Sequence, residues 1–297
     1  GKTRVLTHRI AYLIEEYGVN PWNILAITFT NKAAGEMRER VDNIVTSGAE
    51  YIWVSTFHSL CVRILRRFIE NIGYTTDFSI YDSDDTKTLM KQIFKDLEVN
   101  TKVLKERGVL GVISSAKNEM ISPEEFMLSA KAEGDSRLKR IAELYMEYQK
   151  RLKKNNALDF DDLLVKTVEL FQAKQEVLDY YQDRFRYIMV DEYQDSNLVQ
   201  ETLIQCISGE RFDRPNVFMV GDVKQSIYKF RLARPELFLE KFRTYNIEES
   251  KTQRIDLHKN FRSRKEVLES ANAIFRQIMT ENCLLYTSDA ADDLTRV

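Results

Sequence analysis

The sequence predicts an α/β protein in which a parallel sheet is flanked by helices and a mostly helical segment is inserted into the sheet domain. Short apolar runs alternate with helical patterns along most of the chain. The runs are almost continuously apolar, which is typical of strands buried on both faces of a parallel sheet. Between about residues 68 and 157 the alternation stops, and the sequence becomes polar, charged and helical.

The elements follow in order from the amino terminus. The first is a helix, because apolar residues recur at helical spacing from Leu6 to Ile14. Helical patterns at residues 86–97 and 137–152 predict two helices of the inserted segment. Apolar runs bounded by polar residues predict the strands, which are residues 24–29, 52–57, 187–190, 217–220 and 254–257.

The composition is that of a soluble globular protein, with 43% hydrophobic and 30% charged residues. No apolar run approaches the ~20 residues that a membrane span needs, and no signal peptide is visible. Cys61, Cys206 and Cys283 lack the spacing of a zinc site or a disulfide framework. These observations favour a cytoplasmic protein with no membrane partner. The net charge of -2 does not by itself indicate binding to nucleic acid.

The most informative motif is the acidic pair Asp191-Glu192, which directly follows the apolar run Tyr187–Val190. Ligands of parallel sheets bind at the carboxyl ends of the strands. An NTPase presents one carboxylate to magnesium and another to water at such a strand end. An acidic pair also ends many strands that carry no site, so the pair alone leaves both interpretations open.

The first three residues favour the NTPase interpretation. Gly1, Lys2 and Thr3 open the first helix and match the second half of the phosphate loop G-x-x-x-x-G-K-[ST]. In that loop, backbone amides at a helix amino terminus bind phosphates, the lysine reaches the terminal phosphates and the threonine ligates magnesium. The tripeptide is weak evidence alone, but with the downstream acidic strand end it predicts a site that hydrolyses a nucleoside triphosphate.

Other predicted strand ends carry polar and aromatic residues. Phe29 and Asn31 follow one strand, and Thr56 and His58 follow the next. Phe29 could equally be a core residue, and His58 could equally cap a helix. A third strand end leads into a segment without acidic residues, whose mixture of basic and aromatic side chains suits phosphates and bases or a solvated surface: Lys224, Tyr228, Lys229, Phe230, Arg231 and Arg234.

Seven motifs in order resemble those of superfamily 1 DNA helicases of the UvrD/PcrA/Rep group, and the resemblance covers residues 1 to about 280. They are Gly-Lys-Thr, Ala-Ile-Thr-Phe-Thr-Asn-Lys-Ala-Ala, Ser-Thr-Phe-His-Ser, Leu-Asp-Phe-Asp-Asp-Leu, Val-Asp-Glu-Tyr-Gln-Asp, Gly-Asp-Val-Lys-Gln-Ser-Ile-Tyr and Lys-Asn-Phe-Arg-Ser. The resemblance implies a RecA-like P-loop NTPase domain built from residues 1–67 and 158–282, with a helical subdomain at 68–157. Residues 283–297 do not resemble the family and look like translated sequencing adapter, an artefact without function.

The resemblance also implies roles at an ATP and Mg²⁺ site. Lys2, beside Gly1, would hold the β and γ phosphates, and Thr3 with Asp191 would hold the magnesium ion. Glu192 would orient and deprotonate the attacking water. Further residues would complete the site: Gln194 and Gln225 link the γ phosphate to the DNA-binding edge, Arg262 stabilises charge on the transferring phosphoryl group, and Phe261 stacks on adenine.

The same resemblance implies a track for single-stranded DNA and for junctions of single-stranded and duplex DNA. Aromatic stacking suits such a track because every base has a face, so binding is independent of sequence. Phe230 stands where the family usually has tryptophan, and Arg231 would contact phosphate of either the nucleotide or the DNA. The residues of the track would be Phe29, Asn31, Thr56, His58, Tyr228 and Phe230.

The function implied is the ATP-binding and DNA-binding portion of an ATP-dependent 3′-to-5′ DNA helicase, in repair or replication. The second motor domain and the first half of the phosphate loop are absent from this chain, so the 297-residue chain alone is expected to be inactive. Two alternatives stay open besides a P-loop transporter or protein-remodelling ATPase, which ranks last because it would lack the Thr-Phe-His-Ser and Gln-Ser-Ile-Tyr segments. Residues 195–201 and 220–242 look more like AddA-type helicase-nuclease subunits of double-strand-break recombination, either as an intermediate branch or through the joining of two related reads. A DNA-binding ATP sensor that does not unwind is the other alternative.

Overall fold

The main sheet has four parallel strands in the computed structural model, which describes residues 1–226, 232–257 and 263–278. Across the sheet the order is β2 (Trp53–Thr56), β1 (Ile24–Thr28), β5 (Tyr187–Val190) and β6 (Val217–Met219). All three pairings are parallel. The predicted parallel sheet is therefore confirmed, and β6 is a half-buried strand rather than the fully buried strand that its apolar sequence predicts.

Helices cover both faces of this sheet, because residues of β1 alternate between two hydrophobic cores. Ile24 and Ala26 pack with helices α1 (Lys2–Glu15) and α2 (Asn31–Asp42). Leu25 and Ile27 face the other core. That core is built by the helices α3 (Phe57–Phe68), α8 (Phe160–Ala173), α9 (Gln175–Arg184) and α10 (Leu198–Ile207).

The inserted segment forms a helical unit with a third core of its own. It leaves and re-enters the sheet domain through two short parallel strands, β3 (Ser79–Ile80) and β4 (Ala157–Leu158). Ile69, Tyr74 and Phe78 precede β3 and pack in the core of the sheet domain. The division at residues 67/68 and 157/158 stays a prediction. The helices of the unit are α4 (Ser83–Asp96), α5 (Glu106–Asn118), α6 (Pro123–Glu133) and α7 (Ser136–Lys154).

The carboxyl-terminal part of the described chain contains α11 (Pro235–Thr244) and α12 (Lys265–Ile278). The strand predicted at residues 254–257 is wrong, since these residues adopt no strand. Ile255 is 63% exposed and Leu257 is 53% exposed. The apolar side chains of this alternating segment therefore do not pack into a core of the described residues. Among the described residues, no helix has the length and apolar character to cross a membrane.

A buried ion-pair network joins the inserted unit to the sheet domain. Lys117, at the end of α5, is only 2% exposed, and its Nζ lies 2.7 Å from Asp159 Oδ2 and 2.9 Å from Asp162 Oδ1. The Tyr148 hydroxyl of α7 donates to Asp159 Oδ2 at 2.9 Å. Burial and the nearby Asp159 raise the pKa of Asp162 to about 6. Burial alone would also raise the pKa of Asp159, but Lys117 lowers it overall.

A second set of contacts continues this network towards β5. Asn118 Nδ2 donates to Asp161 Oδ1 at 2.9 Å, and Asn197 Nδ2 donates to Asn118 Oδ1 at 2.5 Å. Arg234 forms an ion pair with Glu119. Because Asn197 follows the acidic segment after β5 and caps α10, the inserted unit is bonded directly to the segment that carries the predicted catalytic residues.

Candidate functional site

The predicted nucleotide-binding residues meet at the carboxyl ends of β5, β6 and their neighbours. Two backbone bonds extend the sheet beyond its strands: Asp191 N donates to Ile27 O at 2.9 Å, and Tyr193 N donates to Val220 O at 3.0 Å. These bonds fix the acidic segment at the edge of the sheet, where Lys2 and Thr3 of α1 contact it and Gly1 is the N-cap residue of α1. The amino terminus of a helix favours anions because its first backbone amides have no partner within the helix.

Thr3 and Asp191 lie together as expected. The Thr3 hydroxyl donates to Asp191 Oδ2 at 2.7 Å, although the two residues are 188 positions apart. Asp191 is buried, and burial is the main cause of its raised pKa, opposed by the bond from Thr3. A hydroxyl oxygen and a carboxylate held together in this way are the oxygen ligands that Mg²⁺ prefers. The pair therefore fits a magnesium ion.

Lys2 contacts two of the predicted catalytic residues. Its Nζ lies 3.1 Å from Glu192 Oε2 and 3.0 Å from Gln225 Oε1. Glu192 has a left-handed backbone, with φ 53° and ψ 39°. For a residue other than glycine this conformation costs about 1 to 3 kcal/mol, and it occurs most often at functional sites. The strained turn directs the carboxylate to the lysine at the start of α1.

Gln194 completes a closed ring of hydrogen bonds. Its Nε2 donates to Glu192 Oε2 at 2.6 Å, and its Oε1 accepts from the backbone of Asp222 at 3.0 Å. Gln225 Nε2 donates to Asp222 Oδ2 at 2.7 Å, and Gln225 Oε1 accepts from Lys2. The ring therefore links the acidic segment after β5 to the segment after β6, with Lys2 bonded to both.

The predicted DNA-binding residues of α2 and α3 lie at the same edge of the sheet, since β1 and β2 are neighbours. Asn31, the first residue of α2, is exposed. Phe29 is half-buried, with its ring centroid 5.3 Å from that of Phe57. Thr56 is buried and uses its hydroxyl to cap α3, accepting from Ser59 N at 3.2 Å. Thr56 thus has a structural role whatever else it contacts.

His58 lies in the first turn of α3 beside an aromatic residue of α8. Its ring centroid is 5.6 Å from that of Phe160. Burial lowers the pKa of the His58 imidazole, which favours the neutral form. Phe160 is 54% exposed. An exposed aromatic ring next to a neutral histidine offers an apolar surface at the edge where Asn31 is also exposed.

Comparison with known proteins identifies the family of this chain. The model of the UvrD/REP helicase N-terminal domain matches residues 1–246. The chain belongs to this family. Relatives include proteins named ATP-dependent DNA helicase PcrA from Bacillus subtilis, 49% identical, and from Staphylococcus epidermidis and Staphylococcus aureus, each 46% identical, over 276 residues and 93% of this chain. The chain spans 36% of the length of these relatives.

Part of the predicted UvrD/REP site lies outside the described residues. Lys2, Thr3, Asp191, Glu192 and both glutamines are brought together as described above. The remaining predicted residues at 228, 230, 261 and 262 cannot be placed relative to them, and their assignments stay predictions. They are Tyr228, Phe230, Phe261 and Arg262, together with the neighbouring Arg231.

Three further residues of this UvrD/REP domain lie beside the predicted site residues, and sequence reasoning gave none of them a role. Asp222 closes the hydrogen-bond ring, and Gly221 precedes it. Phe160 is the aromatic residue of the Leu-Asp-Phe-Asp-Asp-Leu motif. The sequence carried a signal for each, since Gly221 and Asp222 follow a predicted strand and Phe160 lies between acidic residues at a helix start. The sequence does not show which atoms these residues contact.

Gly221 has no side chain, and this leaves room for the side chain of Gln194 beside it. We expect Gly221→Ala to lower the free energy of unfolding by about 1 to 3 kcal/mol. A methyl group at residue 221 would lie 2.7 Å from the Phe238 ring and 2.9 Å from Gln194 Oε1. Urea unfolding of the purified chain measures the change. Gly35→Ala is the matched control, because a methyl group there meets nothing within 4 Å and should be neutral or stabilising in helix α2. Equal stability of both variants would contradict the steric role of Gly221.

Proposed function

We propose that this chain is the ATP-binding and DNA-binding portion of an ATP-dependent DNA helicase that moves 3′ to 5′ along single-stranded DNA. The observation that carries the proposal is the closed ring of Lys2, Glu192, Gln194, Asp222 and Gln225. It joins the lysine of the phosphate loop to two glutamines that lead towards the DNA-binding edge. The names of the PcrA relatives support the activity. The polarity follows from the family resemblance.

Lys2, Thr3 and Asp191 would hold the phosphates and a magnesium ion. The side-chain ammonium group of Lys2 has three donors, so it can exchange its present acceptors for phosphate oxygens. Thr3 and Asp191 offer adjacent oxygen atoms 2.7 Å apart. A bound Mg²⁺ would neutralise charge that develops on the phosphates.

Glu192 is the residue that would accept the proton of the attacking water. When Lys2 exchanges Glu192 for phosphate, one oxygen of the carboxylate loses its cation and becomes a better base. Gln194 still donates to Glu192 Oε2 at 2.6 Å and keeps the carboxylate oriented. Gln194 is fully buried and bonded to both Asp222 and Glu192. A movement of the segment after β6 would therefore change the position of the Glu192 carboxylate. This linkage would let bound DNA control the rate of hydrolysis.

The proposal is tested by measuring ATP hydrolysis and strand separation with the full-length protein. Single-stranded DNA should stimulate hydrolysis, and a duplex with a 3′ tail should be unwound faster than the same duplex with a 5′ tail. Hydrolysis that does not respond to DNA would contradict the helicase proposal. DNA-stimulated hydrolysis without strand separation would favour the non-unwinding ATP sensor instead.

The DNA-binding edge gives a separate prediction about Phe160. We expect Phe160→Ala to weaken binding of an oligo(dT) strand by the purified chain about tenfold, the loss of one base stacked on an aromatic ring. Fluorescence anisotropy of a labelled strand measures the affinity. Phe212→Ala is the control, because Phe212 is similarly exposed but lies in a short turn at residues 210–212 before β6. An equal loss in both variants would contradict a specific role of Phe160.

A further inference from the structure

A stack of aromatic rings and guanidinium groups lies at the amino-terminal ends of the strands, opposite the nucleotide edge. Trp22 precedes β1, Trp53 begins β2, and Arg184 ends α9 just before β5. The Arg184 guanidinium carbon lies 3.4 Å from the ring centroid of Trp22 and 4.2 Å from that of Trp53. Arg63 of α3 adds a second guanidinium, 4.3 Å from the Trp53 ring. Cations and rings therefore alternate across three elements.

A third arginine approaches the same place from α3. Arg67 Nη1 donates to the Tyr180 hydroxyl at 3.0 Å, and Arg184 Nη1 lies 3.5 Å from the same oxygen. Arg63 and Arg67 are exposed and one helical turn apart, so both guanidinium groups can reach one ligand. We name Arg63, Arg67, Arg184 and Tyr180 the arginine cluster.

The arginine cluster has no carboxylate partner within ion-pair distance among the described residues. Within the part of the chain that the structure describes, the salt bridges of acidic residues do not include Arg63, Arg67 or Arg184. Asp179, on the same helix as Tyr180, lies instead 3.5 Å from Arg211. Burial alone would raise the pKa of Tyr180, but hydrogen bonds from Arg67 and Arg184 lower it overall. The hydroxyl therefore lies in a positive potential.

Arg184 also has hydrogen-bond donors that lack an acceptor. The residue is only 6% exposed, and its Nε and Nη2 atoms are buried without a hydrogen-bond partner. Buried donors are nearly always paired with protein, water or a bound group. Burial also lowers the pKa of Arg184, and Arg63 lowers it further. A nearby anion would reduce the repulsion between Arg184 and Arg63.

We propose that the arginine cluster is a binding site for a phosphate group, separate from the nucleotide site. Arg63 and Arg67 would contact the phosphate oxygens directly, because guanidinium groups match phosphate geometry. Arg184 would supply positive charge from behind them. Trp22 is 44% exposed and offers a ring to a base next to the phosphate. The phosphate could come from a free small molecule or from the backbone of a nucleic-acid strand.

The two tryptophans of the chain both lie in this stack, so their fluorescence reports on the site directly. The purified chain is titrated with inorganic pyrophosphate, and separately with oligo(dT), at constant ionic strength. We expect a saturable fluorescence change that needs at least tenfold more ligand in Arg67→Ala. The change should be the same in Arg40→Ala, an exposed arginine of α2 that pairs with Glu36. It should also persist in Lys2→Ala, which alters only the nucleotide site.

The two ligands distinguish the sources of the phosphate. An affinity for oligo(dT) more than tenfold above that for pyrophosphate, with the same dependence on Arg67, assigns the site to a nucleic-acid strand. An equal or weaker affinity assigns it to a small phosphate compound. A response that sodium chloride reproduces, or that Arg67→Ala leaves unchanged, overturns the proposal. Because the two tryptophans lie at the opposite ends of the strands from the nucleotide and DNA-binding edge, a failure here leaves the proposed helicase function untouched.

Discussion

Replacing Glu192 with glutamine is expected to lower DNA-stimulated ATP hydrolysis by the full-length protein about 10³-fold, the usual contribution of a general base. Glutamine keeps the size of the side chain and its bond with Gln194, but its amide accepts a proton far less readily than a carboxylate. ATP binding should persist, because Lys2, Thr3 and Asp191 are unchanged. Steady-state hydrolysis and equilibrium binding of a fluorescent ATP analogue measure the two effects separately.

The control for Glu192→Gln is the same substitution at an exposed glutamate. Glu36→Gln on α2 removes an exposed carboxylate that forms an ion pair with Arg40 and should leave hydrolysis unchanged. Hydrolysis that survives in Glu192→Gln would remove this residue from the role of base. Loss of both hydrolysis and binding would instead indicate that the left-handed turn at Glu192 had collapsed, which circular dichroism and thermal unfolding would show.

Replacing Lys117 with methionine should lower the free energy of unfolding of the chain by about 3 to 5 kcal/mol. The substitution removes the buried cation that lies 2.7 Å from Asp159 and 2.9 Å from Asp162 and leaves these two carboxylates without their ion-pair partner. Methionine fills a similar volume, so the loss is electrostatic rather than a cavity effect. Urea unfolding, followed by circular dichroism, measures it.

The matched control is Lys87→Met, which breaks an ion pair with Asp84 on the exposed surface of α4. Exposed pairs contribute about 0 to 1 kcal/mol, so this variant should unfold almost as the original chain does. Adding Asp162→Asn to Lys117→Met should recover part of the lost stability, because it removes one of the unpaired charges. Equal stability of the two lysine variants would show that the buried network is not what holds the inserted unit in place.

The sequence was sufficient to predict the sheet because each main strand is a short, nearly continuous apolar run. Tyr187–Val190 is the clearest case, since it is followed at once by the acidic pair and the structure places it in the middle of the sheet. Residues 254–257 were mistaken for a strand because Ile255 and Leu257 alternate with charged residues. Alternation indicates a strand only when a core covers one face, and no local pattern shows whether that core exists.

The residues of the predicted nucleotide site could be identified from the sequence for a different reason. Lys2, Thr3 and Asp191 belong to short motifs whose chemistry requires those residue types, so their proximity could be expected across 188 positions of sequence. In the contact of Lys117 with Asp159, by contrast, Asp159 lies in the Leu-Asp-Phe-Asp-Asp-Leu motif but Lys117 belongs to no motif. A lysine in a helical segment is ordinarily solvated, and only the packing of α5 against α8 buries this one.

The paired crossings of β3 and β4 have a mechanical consequence for the inserted unit. A unit attached through one strand can twist about a single backbone bond, whereas two hydrogen-bonded strands must shear together. Ser79 N donates to Asn156 O at 2.9 Å, and Tyr81 N donates to Leu158 O at 2.8 Å. The two connecting strands are therefore hydrogen-bonded to each other. We expect the unit to act as a stiff lever, transmitting a force on its outer helices to the sheet as torque.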